Sequence, residues 1–179
     1  MEQLKVNLRD EHDLFHPFFW GEETEVWVND IEKEDMVVPY DPSSFLYEMF
    51  HYLGVEEAFK PWESKKSIEI ILQQWPSYQT SLKVSFQTRD FQNLLPLMKK
   101  GISCCFSILF WQNNQPVNLK NWEHKTTLLY YKPINFIERM GFILSRPKLF
   151  HSFIQLSQLM EELTKTYHKS LILKNRKNV

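Results

Sequence analysis

The sequence predicts an all-α protein, a single compact helical bundle domain with an acidic, partly extended N-terminal arm. Three observations carry this. Apolar residues recur at three- and four-residue spacing through most of the chain after residue 41, the period of a one-faced helix. The 179 residues include only 4 glycines, too few for the many tight turns of an all-β fold. Leu149, Phe153, Leu156, Met160, Leu163 and Tyr167 are spaced 4, 3, 4, 3, 4, a heptad seam over 149–167 that packs inside a bundle or joins two copies.

The elements follow in order. Residues 1–40 form the arm, in which Phe15, Phe18, Phe19 and Trp20 cluster around His16-Pro17 and Glu25–Asn29 alternates like an extended segment. A lead-in helix occupies 41–56. Asp41 suits its N-cap and Pro42 its first position; Phe45, Leu46, Met49, Phe50 and Leu53 form one face, and Gly54 ends it. The helical domain spans 57–176. Pro61 opens a helix that Pro76 should end, and a short helix follows over 77–87. Thr88 is a candidate cap for the next helix, which runs to Trp111 and should break or kink near Pro96 or Gly101. The segment 118–131 reads equally as helix or short strand. Pro133 opens a helix with Ile134, Phe136, Ile137, Met140 and Ile143 inward, and Ser145-Arg146-Pro147 starts the last helix, which runs to about Lys174.

Charge is divided unevenly. Residues 1–60 hold 15 Asp/Glu against 4 Lys/Arg, a net of −11; residues 61–179 hold 7 against 17, a net of +10. An acidic arm facing a basic body suggests a surface that is covered within the molecule or that meets a charged partner. A protein partner is the leading expectation. Nucleic acid, bound by the body once the arm uncovers it, is the alternative, although no helix-turn-helix, RNA-binding aromatic motif or zinc finger is present. No segment is suited to spanning a bilayer, because the apolar stretch Ile102–Trp111 is too short; no membrane contact is expected. The charged N-terminus has no apolar leader, which points to a cytoplasmic protein. The adjacent Cys104 and Cys105 could close only a strained ring and read as buried apolar residues in a reducing compartment.

Catalytic chemistry finds little support. There is no nucleophile elbow, phosphate loop or metalloprotease motif, so no enzyme activity and no cofactor are expected. Glu48-x-x-His51 has the spacing of two ligands on one helix face, but the second such pair of a di-metal bundle is missing. His12 and His16 could share a zinc ion only on a helix, which Pro17 and the acidic composition oppose. The residues singled out for binding are Asn135, Arg139, Arg146 and Lys148 on the body and Phe18, Phe19 and Trp20 as anchors of the arm. For Arg139 the plainer role is a clamp between helices, pairing with Glu161 or Glu162.

The run Lys132-Pro133-Ile134-Asn135-Phe136-Ile137-Glu138-Arg139, then Arg146-Pro147, Phe153-Ile154-Gln155-Leu156 and Glu162-Leu163-x-Lys165, resembles the YpoC-like proteins of Bacillus-type bacteria. His16-Pro17-Phe18-Phe19 is similar to their N-terminal segment. The resemblance implies a small helical domain in a bacterial cytoplasm and brings no catalytic residue with it.

Overall fold

A computed structural model describes residues 3–9, 12–22, 25–29, 36, 38 and 40–177. Among the described residues the order is β1 (Gln3–Asn7), α1 (Pro17–Trp20), β2 (Glu25–Asn29), α2 (Leu46–Tyr52), α3 (Lys65–Thr88), α4 (Phe91–Trp111), α5 (Trp122–Leu128), α6 (Phe136–Ser145) and α7 (Phe150–Lys177), with 3-10 turns at Pro42–Ser44 and Pro61–Glu63. The protein is predominantly helical. Its strands form one small antiparallel sheet, in register Lys5↔Trp27 and Val6↔Val26.

The fold is built around α4. Every residue from Gly101 to Trp111 is buried, so this helix needs neighbours on all sides. Its length and composition would suffice to cross a membrane, but 72% of its most apolar window is buried inside the bundle, as in the core helix of a soluble protein. Helix α3 lies along α4, α7 packs on both, and the two 3-10 turns sit against α4. The N-terminal segment adds to the same core: Val6, Leu8, Leu14 and Phe19 are buried with Phe45, Phe106 and Phe110. Cys104 and Cys105 are free and fully buried, and burial pushes both thiols well above their ordinary pKa.

Several local expectations give way to tertiary packing. Pro76 does not end a helix, because α3 runs through it to Thr88. Ile71 and Trp75 before it and Leu82 after it are all buried in the core, while Pro76 itself faces solvent, where water can serve the carbonyl it leaves without a helical partner. Pro96, also on an exposed face, likewise interrupts nothing, and Gly101 marks a close approach rather than a break. The cap before α4 is Asp90, not Thr88: Arg89 takes a left-handed conformation (φ 55°) that closes α3, and the Asp90 carboxylate then accepts from the Asn93 N–H. The ambiguous 118–131 stretch holds α5 and then an extended turn. Helix α6 begins at Phe136, so Ile134 lies outside it and is 80% exposed instead of inward. Leu53 and Leu149 fall just beyond α2 and before α7, and are exposed for the same reason. The remaining seam residues Phe153, Leu156, Met160, Leu163 and Tyr167 are buried within the monomer.

The crossing of α3, α4 and α7 depends on Gly101. A Cβ built there would lie 2.9 Å from Trp75 Cζ3, closer than real contacts allow, and 3.0 Å from Leu156 Cδ2, tighter than most, whereas one at Gly141 of α6 would meet nothing within 4 Å. Alanine at either site gains about 1 kcal/mol of helix propensity. At Gly101 overpacking costs about 1–3 kcal/mol and outweighs that gain. Urea unfolding should show Gly141→Ala raising the midpoint and Gly101→Ala lowering it, with unchanged slope.

Candidate functional site

The short helix α1 owes its existence to local chemistry. Pro17 presets its first position, the His16 Nδ1 accepts from the Phe18 N–H at 3.2 Å, and Gly21 at φ +59° closes it by donating its N–H to the Pro17 carbonyl at 2.8 Å. In the preceding turn the His12 Nδ1 accepts from the Leu14 N–H at 3.1 Å. Accepting at Nδ1 requires neutral rings; burial lowers both imidazole pKa values and thereby favours that state, opposed by Asp13 for His12 and by Glu123 for His16. The histidines are thus caps for backbone groups.

The packing of Phe19 and a bond from Lys99 fix α1 on the bundle, while Trp20 ties it to the segment before it. Phe19 enters the core edge-on to Phe18, Phe45 and Phe106, with centroids 5.0, 5.2 and 6.3 Å away. The Trp20 indole N–H donates to the Leu14 carbonyl at 2.7 Å, and Lys99 Nζ of α4 donates to the Phe19 carbonyl at 3.0 Å. With Phe19 turned inward, Phe18 remains half-exposed beside Leu95 of α4 and the α6–α7 corner, Ser145–Leu149. Together they line an open groove of about 630 Å³.

The corner that forms the other wall is rigid in its backbone and free in its side chains. Ser145 Oγ donates to the Phe142 carbonyl at 2.9 Å, and the fully buried Ser152 donates its hydroxyl to the Arg146 carbonyl at 2.6 Å. Arg146 holds its guanidinium 5.7 Å from the Phe142 ring centroid. Among the described residues neither Arg146 nor Lys148 has a carboxylate within ion-pair distance. The groove therefore has an apolar floor of Phe18, Leu95, Pro147 and Leu149 beside two cations that are unpaired among the described residues.

Of the seven residues singled out in the sequence, the structure brings Phe18, Arg146 and Lys148 together. Phe19 and Trp20 anchor that wall from behind. Arg139 stands apart as a clamp: its Nη1 donates to Glu162 Oε1 at 2.8 Å and its Nε to Gln155 Oε1 at 3.0 Å, joining α6 to α7. Asn135 is an exposed turn residue at φ 55°, preceding α6, with no side-chain capping bond. Leu95 and Leu149 complete the groove; the heptad spacing places Leu149 in the core seam, and no sequence signal singles out Leu95. The acidic run 30–35 lies outside the described residues.

Glu48 and His51 do not converge. His51 is exposed, edge-on to the rings of Tyr52 and Trp62 at 5.1 Å each, while Glu48 is completely buried. Its Oε1 accepts from the Trp111 indole N–H at 2.7 Å and the Val117 N–H at 3.5 Å; Oε2 has no partner among the described residues. Burial pushes the carboxyl up from an ordinary 4.5 to about 7, despite these donors. Among the described residues no group of three His, Cys, Asp or Glu side chains could hold a metal ion.

The helices α3 to α7 fall within a recognised sequence family. The chain belongs to the YpoC-like family, whose model matches residues 65–175, from the start of α3 nearly to the end of α7. A curated relative, "Uncharacterized protein YpoC" of Bacillus subtilis (strain 168), is 38% identical over 111 residues, covering 61% of this chain and 68% of the relative. No solved structure matches significantly.

The buried carboxyl makes stability depend on pH. Its folded pKa lies above its unfolded value, so the native state binds the extra proton; stability is greatest below about pH 4.5 and falls as pH rises to about 7, by an order of 3 kcal/mol from this group. Glu48→Gln keeps an acceptor for Trp111 and removes the charge. Denaturation across this pH range should show a flatter profile for Glu48→Gln, with the variant the more stable protein at about pH 8.

Proposed function

We propose that this domain is a non-enzymatic protein-interaction module, and that its docking site is the groove between α1, α4 and the α6–α7 corner. The observation that carries this reading is the pairing of an apolar floor with Arg146 and Lys148, two cations without carboxylate partners among the described residues. The complementary occupant is a segment of a partner protein that alternates acidic residues with large apolar ones. Its apolar side chains settle beside Phe18 and Leu149 while its carboxylates meet the rim. Such an interface uses burial for affinity and charge for steering and register. A rigid backbone at the corner reduces the ordering cost of docking.

A nucleic acid is the alternative partner. Its backbone calls for a continuous track of cations, whereas this groove offers two cations over apolar side chains, which favours the protein reading.

Fluorescence anisotropy with the full chain separates the readings. A labelled peptide alternating Glu with Leu and Phe should bind, its Gln-for-Glu counterpart more weakly, and the double variant Arg146→Glu/Lys148→Glu should weaken the acidic peptide by about tenfold or more. Tighter binding of a DNA or RNA oligonucleotide with a steep salt dependence, or peptide binding indifferent to the charge reversal, would overturn the proposal.

A further inference from the structure

The turn between α5 and α6 has an unusual surface. Leu129 and Pro133 point into the protein, which leaves Leu128, Tyr130, Lys132 and Ile134 outward on the alternating backbone between them. The three apolar side chains are 67%, 86% and 80% exposed. Large apolar residues scattered singly over a surface are ordinary; three within seven residues on a projecting turn form a patch.

Part of the backbone of this turn is satisfied from within. The Asn113 side chain accepts through Oδ1 from the N–H groups of Tyr130 and Tyr131 at 3.1 and 2.9 Å, and donates through Nδ2 to the Tyr131 carbonyl at 2.8 Å. Lys132 Nζ donates to the carbonyls of Thr127 and Leu129 at 2.7 and 2.8 Å. The Leu129 N–H donates to the Thr126 carbonyl at 3.2 Å, and Pro133 has no N–H to satisfy. Polar backbone groups make a turn costly to remove from water; the protein's own side chains meet part of that cost, and the Tyr130 and Lys132 carbonyls and the Lys132 N–H, which have no partner among the described residues, keep their contact with water at a hydrated boundary.

Charge completes the pattern. Lys125, one turn before Leu128 on α5, and Lys132 within the turn lie beside the patch, and neither has an ion-pair partner among the described residues; Glu123 and Glu138 are the acidic neighbours along this stretch. Lys132 uses two of its three donors on the turn, leaving one for an external oxygen.

From these features we propose that the α5–α6 turn is a membrane-surface anchor, which inserts Leu128, Tyr130 and Ile134 into the interfacial layer of an anionic bilayer while the lysines meet lipid phosphates. Tyrosine suits the boundary, with an apolar ring and a polar tip, and lysines extend from apolar ground to headgroups. The expectation of no membrane contact rested on the lack of a spanning segment, and a surface turn needs none. A protein pocket could also take three apolar side chains; the tyrosine among them and the lysines beside them favour the surface of an anionic bilayer. A second copy is disfavoured, because the apolar groove of this chain is itself rimmed by cations. This anchor is independent of the groove proposed above.

The test is co-sedimentation of the full chain with phosphatidylglycerol–phosphatidylcholine vesicles against pure phosphatidylcholine vesicles. The chain should pellet with the anionic vesicles, and Leu128→Ser/Tyr130→Ser/Ile134→Ser should reduce the bound fraction about tenfold while circular dichroism stays native, since all three side chains are exposed. In addition, Tyr130→Cys carrying an environment-sensitive label, specific because Cys104 and Cys105 are buried, should shift to the blue on binding. No binding to the anionic vesicles overturns the proposal. So does binding that survives the triple serine change, which would reduce it to attraction between the basic body and anionic lipid.

Discussion

The rest of the structure depends on the burial of α4. A helix that is apolar around its whole circumference from Gly101 to Trp111 cannot be served by one partner. Helix α3 covers one side, and its approach requires the missing side chain at Gly101. Helix α7 covers a second side with its seam, which the bundle itself occupies. The N-terminal segment and the turns before α3 close the remainder, where Phe19 meets Phe45 and Phe106. The cost of one buried carboxyl, Glu48, is accepted to hold the Trp111 end of the helix.

This arrangement positions both surfaces of interest. Packing Phe19 against α4 turns its neighbour Phe18 outward, toward the α6–α7 corner, and Lys99 secures the turn by capturing the Phe19 carbonyl. The groove thus follows from the core. At the other end of α4, Asn113 emerges from the buried helix and fixes the α5–α6 turn with its side chain, donating as well to the Leu109 carbonyl at 2.8 Å. Each surface is exposed in its side chains and rigid in its backbone, the combination that lowers the entropy lost on docking.

Much of the helical framework was legible in the sequence. The seam of α7, the apolar run of α4 and the α6–α7 boundary at Ser145-Arg146-Pro147 all follow from spacing and breakers. The clamp of Arg139 on Glu162 was legible too, because planar guanidinium pairs are favoured between helices. What local rules could not supply was context. A proline ends an isolated helix, but Ile71, Trp75 and Leu82 hold α3 straight past Pro76. Helical spacing continues in print past the true ends of helices, so Ile134 and Leu149 looked buried when they are exposed. The strand pairing of β1 was overlooked, although Leu4, Val6 and Leu8 carry the alternation that would have revealed it. The groove residues Phe18, Arg146 and Lys148 were visible as types, but their meeting is a tertiary fact.

The central claim is that the N-terminal segment is part of the wall around α4 rather than an appendage to it. Native-state hydrogen exchange tests this most directly at three protons that bridge or brace the segment. These are the backbone N–H groups of Leu119 and Lys120, which donate to the Asp13 carbonyl at 2.8 and 3.0 Å, and the Trp20 indole N–H. The account predicts that they exchange with the slow amides of α4, through a shared opening. Exchange at the rate of an unprotected peptide, with α4 still fully protected, would contradict it.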